Sequence, residues 1–145
     1  MKIKLVLNNE QAISNEQQIQ TEGKHNIVPL NNLNDIHQAS CDDILVHDCC
    51  DYIPQRTQVL QAIASKLRYG GTVHISGIDF LEVAHALVRG EILLRDTHNL
   101  VYSGKSACST LSDIVKELRT MGMDIVSNRL DGYSYHIVAA RPKNV

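Results

Sequence analysis

The amino-acid sequence predicts a single α/β domain (1–145) with a mostly parallel sheet, helices on its faces and an antiparallel strand pair at its C-terminal end. Three observations predict it. Residues 43–47, Asp-Ile-Leu-Val-His, form a compact apolar run bounded by polar residues, the pattern of a buried parallel strand. An amphipathic stretch at 55–67 and a β-branched stretch at 72–77 follow it, and a strand, crossover helix and strand of these lengths make a right-handed parallel unit. Near the C-terminus, Asp131-Gly132 separates two strand-like segments and is a hairpin signal.

Taken in order, residues 2–7 alternate polar and apolar side chains before a short apolar finish, which reads as a strand. Residues 8–25 are rich in Gln, Asn and Glu, with isolated apolar residues at Ala12, Ile13 and Ile19; a sparsely packed helix and a surface loop both fit. Asn26-Ile27-Val28-Pro29-Leu30 is a short extended piece, because Pro29 lacks an amide donor and pushes Val28 out of the helical region. Asn31-Asn32-Leu33-Asn34-Asp35 is turn chemistry. After the 43–47 strand, Pro54 opens the 55–67 helix, whose Val59, Leu60, Ile63, Ala64 and Leu67 fall on one face. Gly70-Gly71 is expected to stop it, since glycine takes up the left-handed conformation at low cost. Residues 80–89 predict a helix ended by Gly90. Residues 109–121 predict another, capped by Ser109 or Thr110 and ended by Gly122, with Leu111, Ile114, Val115 and Leu118 as its apolar face. Segments 124–128 and 135–141 complete the reading as the antiparallel pair.

Composition narrows the function classes. The chain has 145 residues, enough for one core, and 43% of them are apolar. The net charge is −2, whereas proteins that neutralise phosphate backbones carry a basic excess; aromatic residues, the stacking platforms for single strands, are only 4%. Nucleic acid is therefore not an expected partner. No apolar run reaches bilayer length and the first residues lack a signal-type apolar region, so the expectation is no membrane and a cytoplasmic location. Cys41, Cys49, Cys50 and Cys108 show no CxxC pair, and the seven histidines form neither HxH nor HExxH, so no metal is expected. Ser103-Gly104-Lys105-Ser106 echoes a phosphate loop but lacks its first glycine, and Ser76-Gly77 lacks the context of a nucleophile elbow.

Three stretches carry a resemblance to a known family. Residues 41–54, with a strand headed by Asp and followed by the acidic-aromatic-apolar turn Asp51-Tyr52-Ile53-Pro54, resemble the fourth-strand region of small class I S-adenosylmethionine-dependent methyltransferases. Leu67-Arg68-Tyr69-Gly70-Gly71-Thr72-Val73 resembles that family's leucine, two residues, Gly-Gly, strand signature, with Tyr69 where proline is usual. Residues 111–123 and the two strands after them resemble its last helix and terminal hairpin, with Met123 in place of Phe. The resemblance covers about residues 26–142. It implies a Rossmann-like methyltransferase-type sheet, reduced at its N-terminal side, and S-adenosylmethionine as the cofactor.

The front of the chain departs from this pattern. The family's first strand runs into a glycine loop that lets the backbone approach the cofactor. Here Val6 and Asn8 stand where glycines are expected, and stiff, β-branched Val resists positive φ. Residues 1–25 are thus a degenerate or irregular front end, and two readings stay open. One is a shortened methyltransferase acting on a small or glycan-like acceptor. The other is a non-catalytic binding or assembly protein that keeps the scaffold without the cofactor, for which a reduced sheet would favour a homodimer.

Ligands of open parallel sheets sit beyond the carboxyl ends of the strands. The resemblance accordingly implies Asn8, Asn9, Asn31, Asn32 and Cys49 as cofactor-binding positions. Asn31 and Asn32 follow what it implies is the third strand, and an Asn amide both donates and accepts, as adenine's edge requires. The plainer reading of Asn31-Asn32 is a turn. His47 and Asp48 end the fourth strand as candidate catalytic residues able to take a proton from a hydroxyl or amine acceptor. For His47 the alternative is a strand-end histidine bonded to a carbonyl. Asp79 is either a further rim acid or the N-cap of the 80–89 helix.

Overall fold

The computed structural model describes residues 1–7, 25–53, 55–102, 105 and 107–143. Among them the strands are β1 (Lys2–Val6), β2 (Asn26–Pro29), β3 (Cys41–His47), β4 (Leu67–Ile78), β5 (Asp124–Asp131) and β6 (Ser134–Ala140). The helices are α1 (Arg56–Lys66), α2 (Phe80–Val88), α3 (Leu94–Val101) and α4 (Leu111–Thr120), with 3-10 turns at Leu30–Asp35 and Cys50–Tyr52. The strands form one sheet in the order β2-β1-β3-β4-β6-β5. β2, β1, β3 and β4 run parallel, and β6 joins β4 and β5 antiparallel. The predicted class, a mostly parallel α/β sheet with a C-terminal antiparallel pair, is the observed one.

The sheet's alternation sets its two faces. Ile3, Leu5, Ile44, Val46, Val73, Ile75, Ile137 and Ala139 point to one side and are at most 2% exposed. Leu60 and Ile63 of α1 and Ile114, Val115 and Leu118 of α4 close the core against them. Residues between them in sequence, among them Thr72, His74, Ser76 and His136, lie on the other side and are only half-buried.

Of four local expectations, three change and one narrows. β4 starts at Leu67, where α1 has already ended with an extended backbone, so Gly70-Gly71 does not stop the helix. The pair lies within β4, where the register against β3 slips between Cys41–Leu67 and Asp43–Thr72. Gly70 has φ +82°, and a side chain on Gly71 would stand 2.9 Å from the Cys41 carbonyl oxygen. Both glycines are therefore required, for a bulge rather than a cap. Second, α3 was not predicted. Its first turn is closed by the Asp96 carboxylate, which accepts from the Leu93 amide at 3.3 Å. Tyr102 follows its last turn, its amide donating to the His98 carbonyl. Third, Thr110, not Ser109, caps α4, accepting from the Asp113 amide at 3.2 Å. Fourth, β2 pairs directly with β1. The first strand's outer neighbour in a doubly wound sheet is the second strand, so Asn31 and Asn32 follow a strand in that position, not in the third.

Candidate functional site

The chain runs from β1 outward to β2, then returns past β1 to β3. The direction of winding therefore reverses between β1 and β3, and the carboxyl ends of these two strands form the topological switch point where ligands of open α/β sheets bind. A cavity of about 390 Å³ lies there, lined by Lys4, Leu5, Val6, Leu7, His47, Asp48, Cys49 and Tyr52. That size lies at the lower end of small-molecule sites.

Parallel register brings these groups together. Leu5 faces Val46 across the β1–β3 ladder, so the next residues of β1 and the turn after β3 leave the sheet side by side. His47 and Asp48 are exposed. Asp48 has φ +55°, a left-handed conformation that costs a side-chain-bearing residue free energy and that Asp tolerates better than most. Its amide donates to the Ser76 carbonyl at 2.9 Å, which ties the turn to the end of β4. Cys49 is buried, its thiol 3.3 Å from the His47 carbonyl and 3.6 Å from that of Leu5. The Tyr52 hydroxyl is pushed above its usual range, chiefly by burial and further by the charges of Asp48 and Asp51, so it stays protonated and can donate.

Behind this turn the structure is closed. Asp51 is 5% exposed and accepts from Ser109 at 2.6 Å; the Ser109 hydroxyl also meets the Tyr135 hydroxyl at 2.8 Å. The Lys105 ammonium lies 3.5 Å from the Asp51 carboxylate and donates to the Leu100 carbonyl at 2.7 Å. Lys105 is thus committed to internal partners, as a plain loop residue would be; Ser103, Gly104 and Ser106 lie outside the described residues. Burial pushes the Cys50 thiol up to about 12, with help from the charges of Cys49 and Asp51, so it serves as a small apolar side chain. Asp79 caps α2, accepting from the Glu82 amide at 3.0 Å, and also accepts from the Leu111 amide at 2.8 Å. Its place is therefore structural rather than a second rim acid.

Of the candidate residues, the structure brings His47, Asp48 and Cys49 together at the cavity with Val6. Asn31 and Asn32 are exposed in the 3-10 turn after β2 and are not among the lining residues. Asn8 and Asn9 lie outside the described residues. Lys4 and Tyr52 also line the cavity and were not singled out. Lys4 could have been found from strand alternation, which puts it opposite Ile3 and Leu5, and Tyr52 from its place in the turn after β3. Among the described residues no three His, Cys, Asp or Glu side chains are grouped so as to hold a metal ion, and no helix is long and apolar enough to cross a membrane.

No family model and no curated protein matches the sequence. Solved structures do. An O-methyltransferase family protein from Burkholderia thailandensis superposes on 99% of this chain and 45% of its own, with a TM-score of 0.70 at 15% identity. A SAM-dependent methyltransferase from Methanosarcina mazei matches 97% of this chain and 82% of its own, with a TM-score of 0.66 at 14% identity. One from Archaeoglobus fulgidus matches 94% and 75%, with a TM-score of 0.60 at 12% identity. This chain spans less than half of the Burkholderia protein. The strand order, the C-terminal antiparallel pair and these superpositions together establish that the chain has a class I methyltransferase-like, Rossmann-like fold.

Proposed function

We propose that the chain is a methyltransferase-like protein that binds S-adenosylmethionine in the cavity between the ends of β1 and β3 and serves a small or glycan-like acceptor. The observation that supports this best is the coincidence of that cavity with the topological switch point of the sheet. The residues fit such a ligand: the volume suits a small molecule, the walls at Leu5, Val6 and Leu7 are apolar, and Lys4, His47, Asp48 and Tyr52 supply polar groups. When bound, S-adenosylmethionine would supply an electrophilic methyl carbon on a sulfonium.

The protein's part is positioning and proton handling. The Ser76 carbonyl fixes the Asp48 backbone and hence the turn that carries His47. Alignment of the acceptor is the main requirement of methyl transfer. The proton of a hydroxyl or amine acceptor would pass to a His47 ring nitrogen or to an Asp48 carboxylate oxygen. The Tyr52 hydroxyl, kept protonated, would donate a hydrogen bond at the cavity wall.

A second reading has its own observation. Val6 is only 5% exposed and its side chain takes up part of the cavity wall where a glycine would leave room for a ligand. On that reading the scaffold is a non-catalytic binding or assembly protein. Titration calorimetry with S-adenosylmethionine and S-adenosylhomocysteine separates the two. Binding with a Kd of roughly micromolar order supports the first reading, and no heat at about millimolar ligand overturns it.

A further inference from the structure

The α2–α3 hairpin has an apolar surface that the fold does not use. Helix α2 reads Phe80-Leu81-Glu82-Val83-Ala84-His85-Ala86-Leu87-Val88, apolar on nearly every side, and a helix of that kind is normally covered all round. Here only Val83 and Ala86 are buried. Phe80 is 41% exposed, Leu81 50%, Val88 87%, Leu93 57%, Leu94 73% and Tyr102 67%. Leu81 and Val88 lie seven residues apart on one side of α2. Leu93 and Leu94 follow directly after the turn at Gly90, while Phe80 and Tyr102 border one groove at the other end of the hairpin.

We infer that this hairpin is the surface through which two copies of the chain associate. With full areas of about 150–250 Å² per large side chain, the six residues expose on the order of 700 Å². Spread over one helical hairpin, that total approaches the roughly 800 Å² that each partner contributes to a stable complex. The surrounding charge favours a second copy over a strongly charged partner. Arg89 and Arg95 stand among Glu82, Glu91 and Asp96, and Arg89 already pairs with Glu91 at 3.0 Å. A two-fold interface sets a patch against itself, so it tolerates mixed charge of this kind and not a single-sign field. The inference is independent of methyl transfer.

Sedimentation equilibrium of the full chain over roughly 1–200 µM tests it, a range that brackets the affinity expected of an interface of this size. The expected result is a concentration-dependent rise to twice the chain mass, lost at every concentration in the Val88→Glu/Leu94→Glu variant with an unchanged circular-dichroism melt. A wild-type protein that stays monomeric at the highest concentration overturns the inference, as does a folded double variant that still dimerises. Should the variant not fold, hydrogen exchange of the wild type decides. Protection confined to α2 and α3 must fall on dilution together with the mass, and protection that is independent of concentration counts against the interface.

Discussion

Two neighbouring strands of the sheet are each followed by an aspartate, and the two aspartates differ in almost every physical respect. Asp79, after β4, is 4% exposed, has an extended backbone, and spends both carboxylate oxygens on helix amides. Asp48, after β3, is exposed, holds a left-handed backbone and stands at the edge of a cavity. The first is what a carboxylate looks like when it serves the fold: two orphan helix donors are satisfied and nothing remains to offer a ligand. The second carries conformational strain with no compensating cap, and strain of this kind gathers at functional sites. The difference separates a rim that is closed at β4 from one that is open at β3.

The largest test of the closed side is Asp51→Ala. It leaves the Lys105 ammonium, on a side chain 9% exposed, without its carboxylate, so a loss of about 3–5 kcal/mol is expected in denaturant unfolding. Asp79→Ala removes two caps at about 1 kcal/mol each and should cost roughly 2 kcal/mol, with ligand binding little changed in the folded fraction. Asp48→Gly should act in the opposite direction. Relief of the left-handed strain should add on the order of 0.5 kcal/mol, while ligand affinity falls because the rim loses its carboxylate. A thermal melt paired with calorimetry reads both signs; a destabilised Asp48→Gly that binds normally would erase the distinction between the two aspartates.

The smallest effect concerns pH. Burial pushes the Asp43 carboxyl up, but hydrogen bonds from His25 and Thr72 and the nearby imidazoles of His74 and His25 outweigh it and hold it below the usual carboxylate range. A carboxyl with a lower pKa folded than unfolded stabilises the protein above the unfolded value of about 4, and that contribution is lost as the pH falls through the folded value. Asp43→Asn should therefore be less stable than wild type near neutrality and show a shallower fall in Tm on acidification.

Most of the scaffold was legible because its residues obey one period at a time. Residues 43–47 are an unbroken apolar run, and Leu111, Ile114, Val115 and Leu118 repeat at helical spacing, so β3 and α4 could be placed from pattern alone. Helix α3 escaped because Arg95-Asp96-Thr97-His98-Asn99 is polar throughout and its stability comes from one capping carboxylate and the burial of Thr97 and Val101. Gly70-Gly71 misled for a different reason. Glycine marks positive φ or close approach without saying which element needs it, and here the demand came from the facing Cys41 carbonyl in another strand. At the site, His47 and Asp48 could be named because strand ends locate rims. Strand alternation and the turn after β3 place Lys4 and Tyr52 within their own elements, but only the pairing of β1 with β3, a long-range fact, brings them to one cavity with His47 and Asp48.

On the proposed reading, the open rim between β1 and β3 is the ligand site. Amide chemical-shift mapping with S-adenosylhomocysteine tests it most directly. The largest shifts are predicted within Lys4 to Leu7 and His47 to Cys49, with little change at Asp79 or in a second groove, lined by Tyr69, Met121 and Arg141, at the opposite end of β4. The absence of shifts at about millimolar ligand, or shifts centred on that opposite groove, would contradict it.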